Sequence, residues 1–219
     1  MILSPIPTTD LPDVLARFQA SLPEGSLAAT VFGRIAATLP HDNPADTEPA
    51  RHRDAVALCA AFGLPTIDEP PQAAFSWDGH AIRVAESEAS VVIHEVTHYQ
   101  LCAPERRPLP DFGLGAGPES GRKAEADAAL CLPGARRDVE EGLCSLLGIL
   151  WEAELGHPAI LAFLEQNWLE GRDSPLNRDH FLKMVHLLHQ HGFIDADGHP
   201  TKVLREMDDA GFFDGLVFD

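Results

Sequence analysis

The segment "VVIHEVTHYQL", residues 91–101, places two histidines four positions apart, with a glutamate directly after the first. On a helix, residues four apart lie one above the other, so His94 and His98 can offer imidazole nitrogens to one point in space. Glu95 lies about 100° round the helix axis, where it can reach a ligand of a metal without binding the metal itself. This H-E-x-x-H pattern predicts two metal ligands and one acid-base group from a single helical turn.

The competing interpretation is that both histidines lie on a solvated face and bind nothing. The surrounding residues favour the metal site, because an apolar set on the same helix requires part of it to be buried. Burying two histidines and a glutamate without partners is costly, and a metal ion removes that cost. The apolar set is Val91, Val92, Ile93, Val96 and Leu101.

A mononuclear site needs at least a third ligand, and the segment "DVEEGLCSLLG" supplies two adjacent acids on a second predicted helix. Helical periodicity places Glu140 nearer the apolar stripe of that helix than Glu141. A ligand need only border the core, so the pattern itself leaves both glutamates open. The stripe consists of Val139, Leu143, Leu146, Leu147 and Leu150.

The segments "HEVTHYQLCAPERRPLPDFG" and "GPESGR" resemble the bacterial elongation factor P hydroxylases. The shared pattern is H-E-x-x-H, two arginines, Asp-Phe-Gly, and a Pro-containing turn that ends in Gly-Arg and is one residue longer here. A weaker similarity extends over residues 80–171. Tyr99 stands where the family has tryptophan, and "LGAG" replaces its aromatic run after Asp-Phe-Gly, so the substrate contacts are expected to differ.

The resemblance implies a site of His94, His98 and Glu141, with Glu140 kept as the alternative. It also implies iron-dependent and oxygen-dependent hydroxylation of a modified lysine on a protein substrate like elongation factor P. Two histidines and a carboxylate leave open positions on Fe(II) for dioxygen and a nearby substrate. Around Zn(II) the same ligands would activate water, with Glu95 as the general base of a peptide or amide hydrolase. A third possibility is a non-catalytic protein whose metal is structural or lost.

Three loop residues are candidates for contacts beyond the ligands. Arg106 and Arg107 are expected to clamp a carboxylate or to pair with acids near the site, although adjacent loop arginines are often simply solvated. Asp111 is expected to accept the second ring N–H of a metal-bound histidine, or alternatively to cap its own loop. The glycines Gly113, Gly115 and Gly117 suggest a mobile flap over the site, or merely the geometry of a loop.

The elements that must position these residues are mostly helical, and the predicted class is α+β, predominantly α-helical, with a zincin-like active-site helix packed on the helix that carries the acidic ligand. A small β-hairpin is expected around the Asp78-Gly79 turn. We expect one metal-dependent domain over 1–219, with an N-terminal helical region (1–75), a core (76–171) and a C-terminal helical appendage (172–219). Helices are predicted over 11–22, 26–39, 50–62, 87–102, 138–155, 158–169, 178–190 and 201–210.

The amino-acid composition excludes some classes of binding partner. The formal net charge of −18 repels phosphate backbones and anionic lipid surfaces, so neither nucleic acid nor a membrane is an expected partner. No segment has the character of a signal peptide or a membrane span, which predicts a cytoplasmic protein. The four cysteines show no C-x-x-C spacing and are expected to be buried, reduced thiols.

Overall fold

The computed structural model describes residues 6, 9–39, 46–70, 75–117, 121–214 and 216. This part of the chain is predominantly helical, with one small sheet, as predicted. The elements are α1 (Leu11–Ser21), α2 (Leu27–Ala36), α3 (Glu48–Ala61), β1 (Thr66–Ile67), β2 (Ile82–Arg83), α4 (Ala89–Leu101), α5 (Lys123–Ala128), α6 (Ala135–Glu154), α7 (Ala159–Glu165), α8 (Pro175–Gln190) and α9 (Asp209–Phe213). None of the helices in these ranges combines the length and apolar character needed to cross a membrane.

The chain divides into two compact units, and the prediction of a single domain stays a prediction. The first unit comprises the described residues of 1–42 and 149–201, and the second those of 43–148 and 202–219. In the first unit, α1, α2, α7 and α8 bury a cluster of aromatic rings whose centroids lie 4.8 to 6.3 Å apart. The rings belong to Phe18, Phe32, Phe163 and Phe181, each fully buried.

The second unit holds the H-E-x-x-H helix α4, which packs along α3. Four of the five predicted apolar residues of α4 are buried, Val92, Ile93, Val96 and Leu101, while Val91 is half-buried. The helix begins at Ala89, two residues after the predicted start at Ser87, and ends before Pro104, which cannot continue a helix. Within this partly buried helix, His98 is buried and His94 is half-buried.

The predicted β-hairpin is wrong in its pairing. β1 and β2 form a parallel pair with Thr66 opposite Ile82, and the Asp78-Gly79 turn closes only an isolated antiparallel bridge between Trp77 and Ile82. The Asp78-Gly79 turn therefore forms as predicted, but β2 pairs mainly with β1, a strand 16 residues upstream. Residues 73–74 of the predicted hairpin and residues 118–120 of the "GPESGR" segment lie outside the described part of the chain.

The predicted helix over 201–210 is also wrong. Residues 201–206 are not helical, and α9 begins only at Asp209, where the Asp208 side chain caps it by accepting from Gly211 N. The preceding extended segment is held to the end of α4 by two hydrogen bonds: Arg205 N donates to Gln100 O at 3.0 Å, and the side-chain Nε2 of Gln100 donates to Val203 O at 2.9 Å. These tertiary bonds replace the intrahelical ones that local propensity favoured.

The four cysteines are free thiols, as predicted, but one of them is not buried. Cys59, Cys102 and Cys144 are fully buried, whereas Cys131 is exposed. Cys131 lies in the surface turn between α5 and α6, where its backbone N–H donates to Gly113 O. Its thiol also donates to Gly113 O at 3.6 Å, so the side chain lies against this loop although the residue is exposed.

Candidate metal centre

A close approach between α4 and α6 creates the site. A Cβ added at Gly148 would lie 3.8 Å from His94 Cα, so the missing side chain lets the two helices come near van der Waals contact. The Thr97 hydroxyl donates to His94 O at 2.7 Å and also contacts Cys144 O across the interface at 3.0 Å. This packing brings the first turns of α6 beside the two histidines of α4.

Three side chains converge at this approach. His94 Nε2 lies 3.7 Å from Glu141 Oε2, and His98 Nε2 lies 3.6 Å from the same oxygen. One ligand atom from each residue lies within 4.8 Å of the other two, an arrangement that could hold a metal ion. Two ligand atoms bound to one tetrahedral ion at about 2.1 Å are roughly 3.4 Å apart, so small side-chain adjustments would suffice. The exposed side-chain fractions are 27% for His94, 8% for His98 and 38% for Glu141.

The protonation states suit a divalent cation. Burial lowers the pKa of His98 to about 3, although the Glu141 carboxylate acts in the opposite direction. Burial would raise the pKa of Glu141, but His98, His94 and Arg137 lower it to about 2. His98 is therefore neutral and Glu141 ionised at neutral pH, which are the forms that bind metals.

The structure separates the two adjacent glutamates clearly. Glu140 is fully buried, and its Oε2 accepts from Arg106 at 2.5 Å and from Arg205 at 3.2 Å. Burial raises the pKa of Glu140 to about 7, although the guanidinium groups of Arg106 and Arg205 act in the opposite direction. Helical periodicity correctly indicated the more buried glutamate, but that residue lies in an ion-pair cluster, whereas Glu141 lies beside the histidines.

Glu95, the predicted acid-base residue, is half-buried on α4. Its carboxylate faces Cys59 of α3 closely enough to contribute to a raised thiol pKa of about 12, a shift caused mainly by burial. The predicted role of Glu95 toward a metal-bound water stays a prediction, which the experiments below address.

The two loop arginines have different surroundings. Arg106 is 2% exposed, and it donates to Glu140, to both carboxylate oxygens of Asp209, and to Phe112 O. Arg107 donates to Tyr99 O and to Arg205 O, and its guanidinium lies 5.1 Å from the centroid of the Tyr99 ring. The contacts of Arg106 are thus with acids of this chain, and those of Arg107 are with the backbone and one ring.

The Asp-Phe-Gly segment forms a turn with three successive left-handed residues. Asp111, Phe112 and Gly113 have φ values of 42°, 54° and 68°, a conformation that is unfavourable for the first two side chains. Asp111 exchanges hydrogen bonds with the backbone of Trp77, accepting from Trp77 N at 3.3 Å and donating from its own N–H to Trp77 O at 2.9 Å. Glycine is favoured at position 113 because its φ is positive, and a Cβ there would also lie 2.6 Å from Cys131 Sγ.

This turn places an aromatic ring against a candidate ligand. Phe112 stacks on Trp77 with centroids 5.2 Å apart, and it also stacks on His98 at 5.7 Å. The imidazole of His98 is therefore packed between the α4–α6 interface and the Phe112 ring. Gly113 and Gly115 both adopt positive φ, consistent with the geometric interpretation of these glycines, and flap motion stays a prediction.

Sequence analysis missed one residue that contacts a candidate ligand. Cys144 Sγ lies 3.2 Å from His98 Nδ1, with both side chains buried. Burial raises the pKa of this thiol well above its ordinary value. The available signal was its position, because Cys144 follows Glu141 by three residues and therefore shares its helix face. Sequence analysis also missed Arg205, which donates to Glu140, and Asp209, which accepts from Arg106. No local signal indicated them, since each lies more than 60 residues further along the chain than its partner.

No protein-family model, curated protein or solved structure matches this chain.

Proposed function

We propose that this protein is a metal-dependent enzyme whose single divalent transition metal is bound by His94, His98 and Glu141. The supporting observation is the convergence of three ligand atoms from two helices within 4.8 Å of one another. His94 and His98 lie close together because they are four residues apart on one helix. Glu141 joins them only because α6 packs on α4. The electrostatics add support, because burial keeps His98 neutral and its neighbours keep Glu141 ionised.

The reaction that we favour is oxygen-dependent hydroxylation of a protein side chain, with Fe(II) as the metal and an elongation factor P-like protein as the candidate substrate. Fe(II) held by two histidines and one carboxylate supplies open coordination positions for dioxygen and for substrate. The H-E-x-x-H, Arg-Arg and Asp-Phe-Gly resemblance carries this proposal. In it, Asp111 and Arg106 hold the Phe112 turn against His98, through the hydrogen bonds to Trp77 and to Phe112 O.

The alternative is a Zn(II)-dependent peptidase or amide hydrolase. One observation favours it: Glu95 directly follows a ligand candidate and is half-buried on α4 rather than directed fully into solvent. In this reaction Glu95 would take a proton from the attacking water. A protein that holds its metal without catalysis is the remaining possibility.

The first experiment asks whether the site binds metal. The protein is purified without oxygen, its metal content is measured, and Co²⁺ and Zn²⁺ dissociation constants are determined for the wild type, Glu141→Gln and Asp138→Asn. Asp138 is a matched control because it is an exposed acid on the same helix, one turn earlier. We expect Glu141→Gln to abolish tight binding and Asp138→Asn to preserve it. Equal affinity in all three proteins would refute the assignment of Glu141 as a ligand.

The second experiment distinguishes the reactions. Iron that is retained through purification, together with oxygen uptake that depends on an elongation factor P-like substrate, supports the hydroxylase. Zinc with peptide cleavage that is lost in Glu95→Gln and kept in Glu105→Gln supports the hydrolase, since Glu105 is an exposed glutamate of the following loop. Tight metal binding without either activity supports the non-catalytic protein.

A further inference from the structure

The sulfur of Cys144 provides the second ring nitrogen of His98 with a hydrogen-bonding partner. Sγ and Nδ1 are 3.2 Å apart in a region where the exposed fraction is 0% for Cys144 and 6% for His98. The Thr97 hydroxyl holds the Cys144 carbonyl at 3.0 Å, and Phe112 packs on the face of the imidazole. Both sides of the contact are thus fixed by neighbouring groups.

The two ring nitrogens of His98 face groups that differ in whether they can donate or accept a hydrogen bond. Nε2 faces the carboxylate of Glu141 at 3.6 Å, and an ionised carboxylate only accepts hydrogen bonds. A neutral imidazole carries one ring proton, which is favoured on the nitrogen beside that carboxylate. Nδ1 is then an acceptor, and the thiol S–H of Cys144 can donate to it.

Metal binding reverses these requirements. A metal ion takes the lone pair of Nε2, so the single ring proton must move to Nδ1, which then requires an acceptor. A carboxylate or a carbonyl group at this position would accept only, and would therefore favour the metal-ready tautomer at all times. A thiol both donates and accepts, so it can serve both states by rotation of its S–H bond.

We propose that Cys144 is a positioning residue that stabilises the metal-free tautomer of His98 as a donor and the metal-bound tautomer as an acceptor. This inference rests on the metal site proposed above. It explains why a buried thiol stands where metal sites commonly place a carboxylate or a carbonyl group. The proton count is unchanged, because one neutral-imidazole proton moves from Nε2 to Nδ1 as the ion binds.

The test combines ring ¹⁵N NMR with zinc affinity. Two-bond ¹H–¹⁵N spectra report which nitrogen of His98 carries the proton, with the signals assigned by comparison with His98→Asn. Zinc dissociation constants are measured by chelator competition for the wild type, Cys144→Ala, Cys144→Ser and Cys102→Ala. Cys102 is the matched control because it is also a fully buried thiol, but its sulfur contacts Tyr99 O instead of the histidine.

We expect the wild-type ring to be protonated at Nε2 without metal and at Nδ1 with zinc. Cys144→Ala should weaken zinc binding by about 10- to 100-fold, the usual effect of losing the partner of a histidine ligand. Cys144→Ser keeps a group that both donates and accepts, so it should recover most of the affinity, and Cys102→Ala should bind as the wild type does.

Several outcomes would overturn the inference in distinguishable ways. If the wild type binds zinc and Cys144→Ala binds it equally well, or if the metal-free ring is protonated at Nδ1, the role of Cys144 is refuted while the metal site stands. If the Co²⁺ protein shows a thiolate charge-transfer band that Cys144→Ser loses, the sulfur is itself a ligand and the proposed role is wrong. If the wild type binds no metal, the site proposal fails first. Should the alanine variant not fold, the serine variant and the wild-type spectra decide.

Discussion

Replacement of Arg106 by methionine is expected to destabilise the second unit strongly, although Arg106 lies in a loop. The side chain is 2% exposed, and its guanidinium makes three hydrogen bonds to carboxylate oxygens, at 2.5 Å to Glu140 and at 2.8 and 3.1 Å to Asp209. Methionine matches the length of the apolar stem of arginine and fills much of the same volume. The variant therefore removes the charge while leaving only a small cavity.

The size of the effect follows from these contacts. Hydrogen bonds to charged groups contribute about 1.5–3 kcal/mol each, but part of that gain only offsets the desolvation of the guanidinium. Removing one partner of a buried ion pair costs about 3–5 kcal/mol, because the remaining charge is left uncompensated. For a chain of this size, each kcal/mol lowers the melting temperature by roughly 2–4 °C. We therefore expect Arg106→Met to melt about 6–20 °C below the wild type.

The assay is thermal unfolding and urea unfolding, both followed by circular dichroism, together with amide hydrogen exchange of residues 202–213. Those residues include Asp209 and Arg205, which share the carboxylate cluster with Arg106. Arg107→Met is the matched control: the guanidinium of Arg107 is half-buried and donates to two backbone carbonyls, so its loss should cost about 1 kcal/mol. Exchange in 202–213 should accelerate in Arg106→Met and change little in Arg107→Met.

A loss of less than 1 kcal/mol in a folded Arg106→Met protein would refute the reasoning. It would show that the desolvation of these charges cancels their attraction, as happens in some buried ion pairs. Arg106 would then need another explanation, and the substrate contact expected from the sequence would become the leading one.

Three further predictions concern single residues of the second unit. Burial lowers the pKa of His98 from 6.5 to about 3, so between these pH values the unfolded chain binds more protons than the folded chain. The free energy of unfolding should therefore fall as the pH drops from 6.5 toward 3. Calorimetry of the metal-free proteins should show a weaker dependence of stability on pH in this range for His98→Asn than for the wild type. Gly148→Ala should be tolerated, since its Cβ would lie 3.8 Å from His94 Cα. Gly148→Leu should instead separate α4 from α6 and lower the free energy of unfolding by about 1–3 kcal/mol. The same variant should bind zinc more weakly in a chelator titration. Gly79→Ala should lower the melting temperature, because φ is +91° and the new Cβ would lie 2.4 Å from Pro108 O; an unchanged melting temperature would show that this loop shifts freely.

The amino-acid sequence predicted the features that depend on neighbours along the chain. The structure confirms three local patterns: the helical spacing of His94 and His98, the burial of His98 with Val92 and Val96, and the helix that carries Glu140 and Glu141. Such patterns are readable because helix geometry alone determines which residues share a face.

Tertiary packing decided what local patterns left open. Periodicity favoured Glu140, yet Arg106 and Arg205 occupy that carboxylate, and the narrow approach at Gly148 presents Glu141 to the histidines instead. The parallel pairing of β2 and the non-helical course of residues 201–206 likewise depend on partners far away in sequence. A local sequence window contains no information about those partners. The sequence therefore narrowed the third candidate ligand to two glutamates, and only the folded chain brings one of them to the two imidazoles.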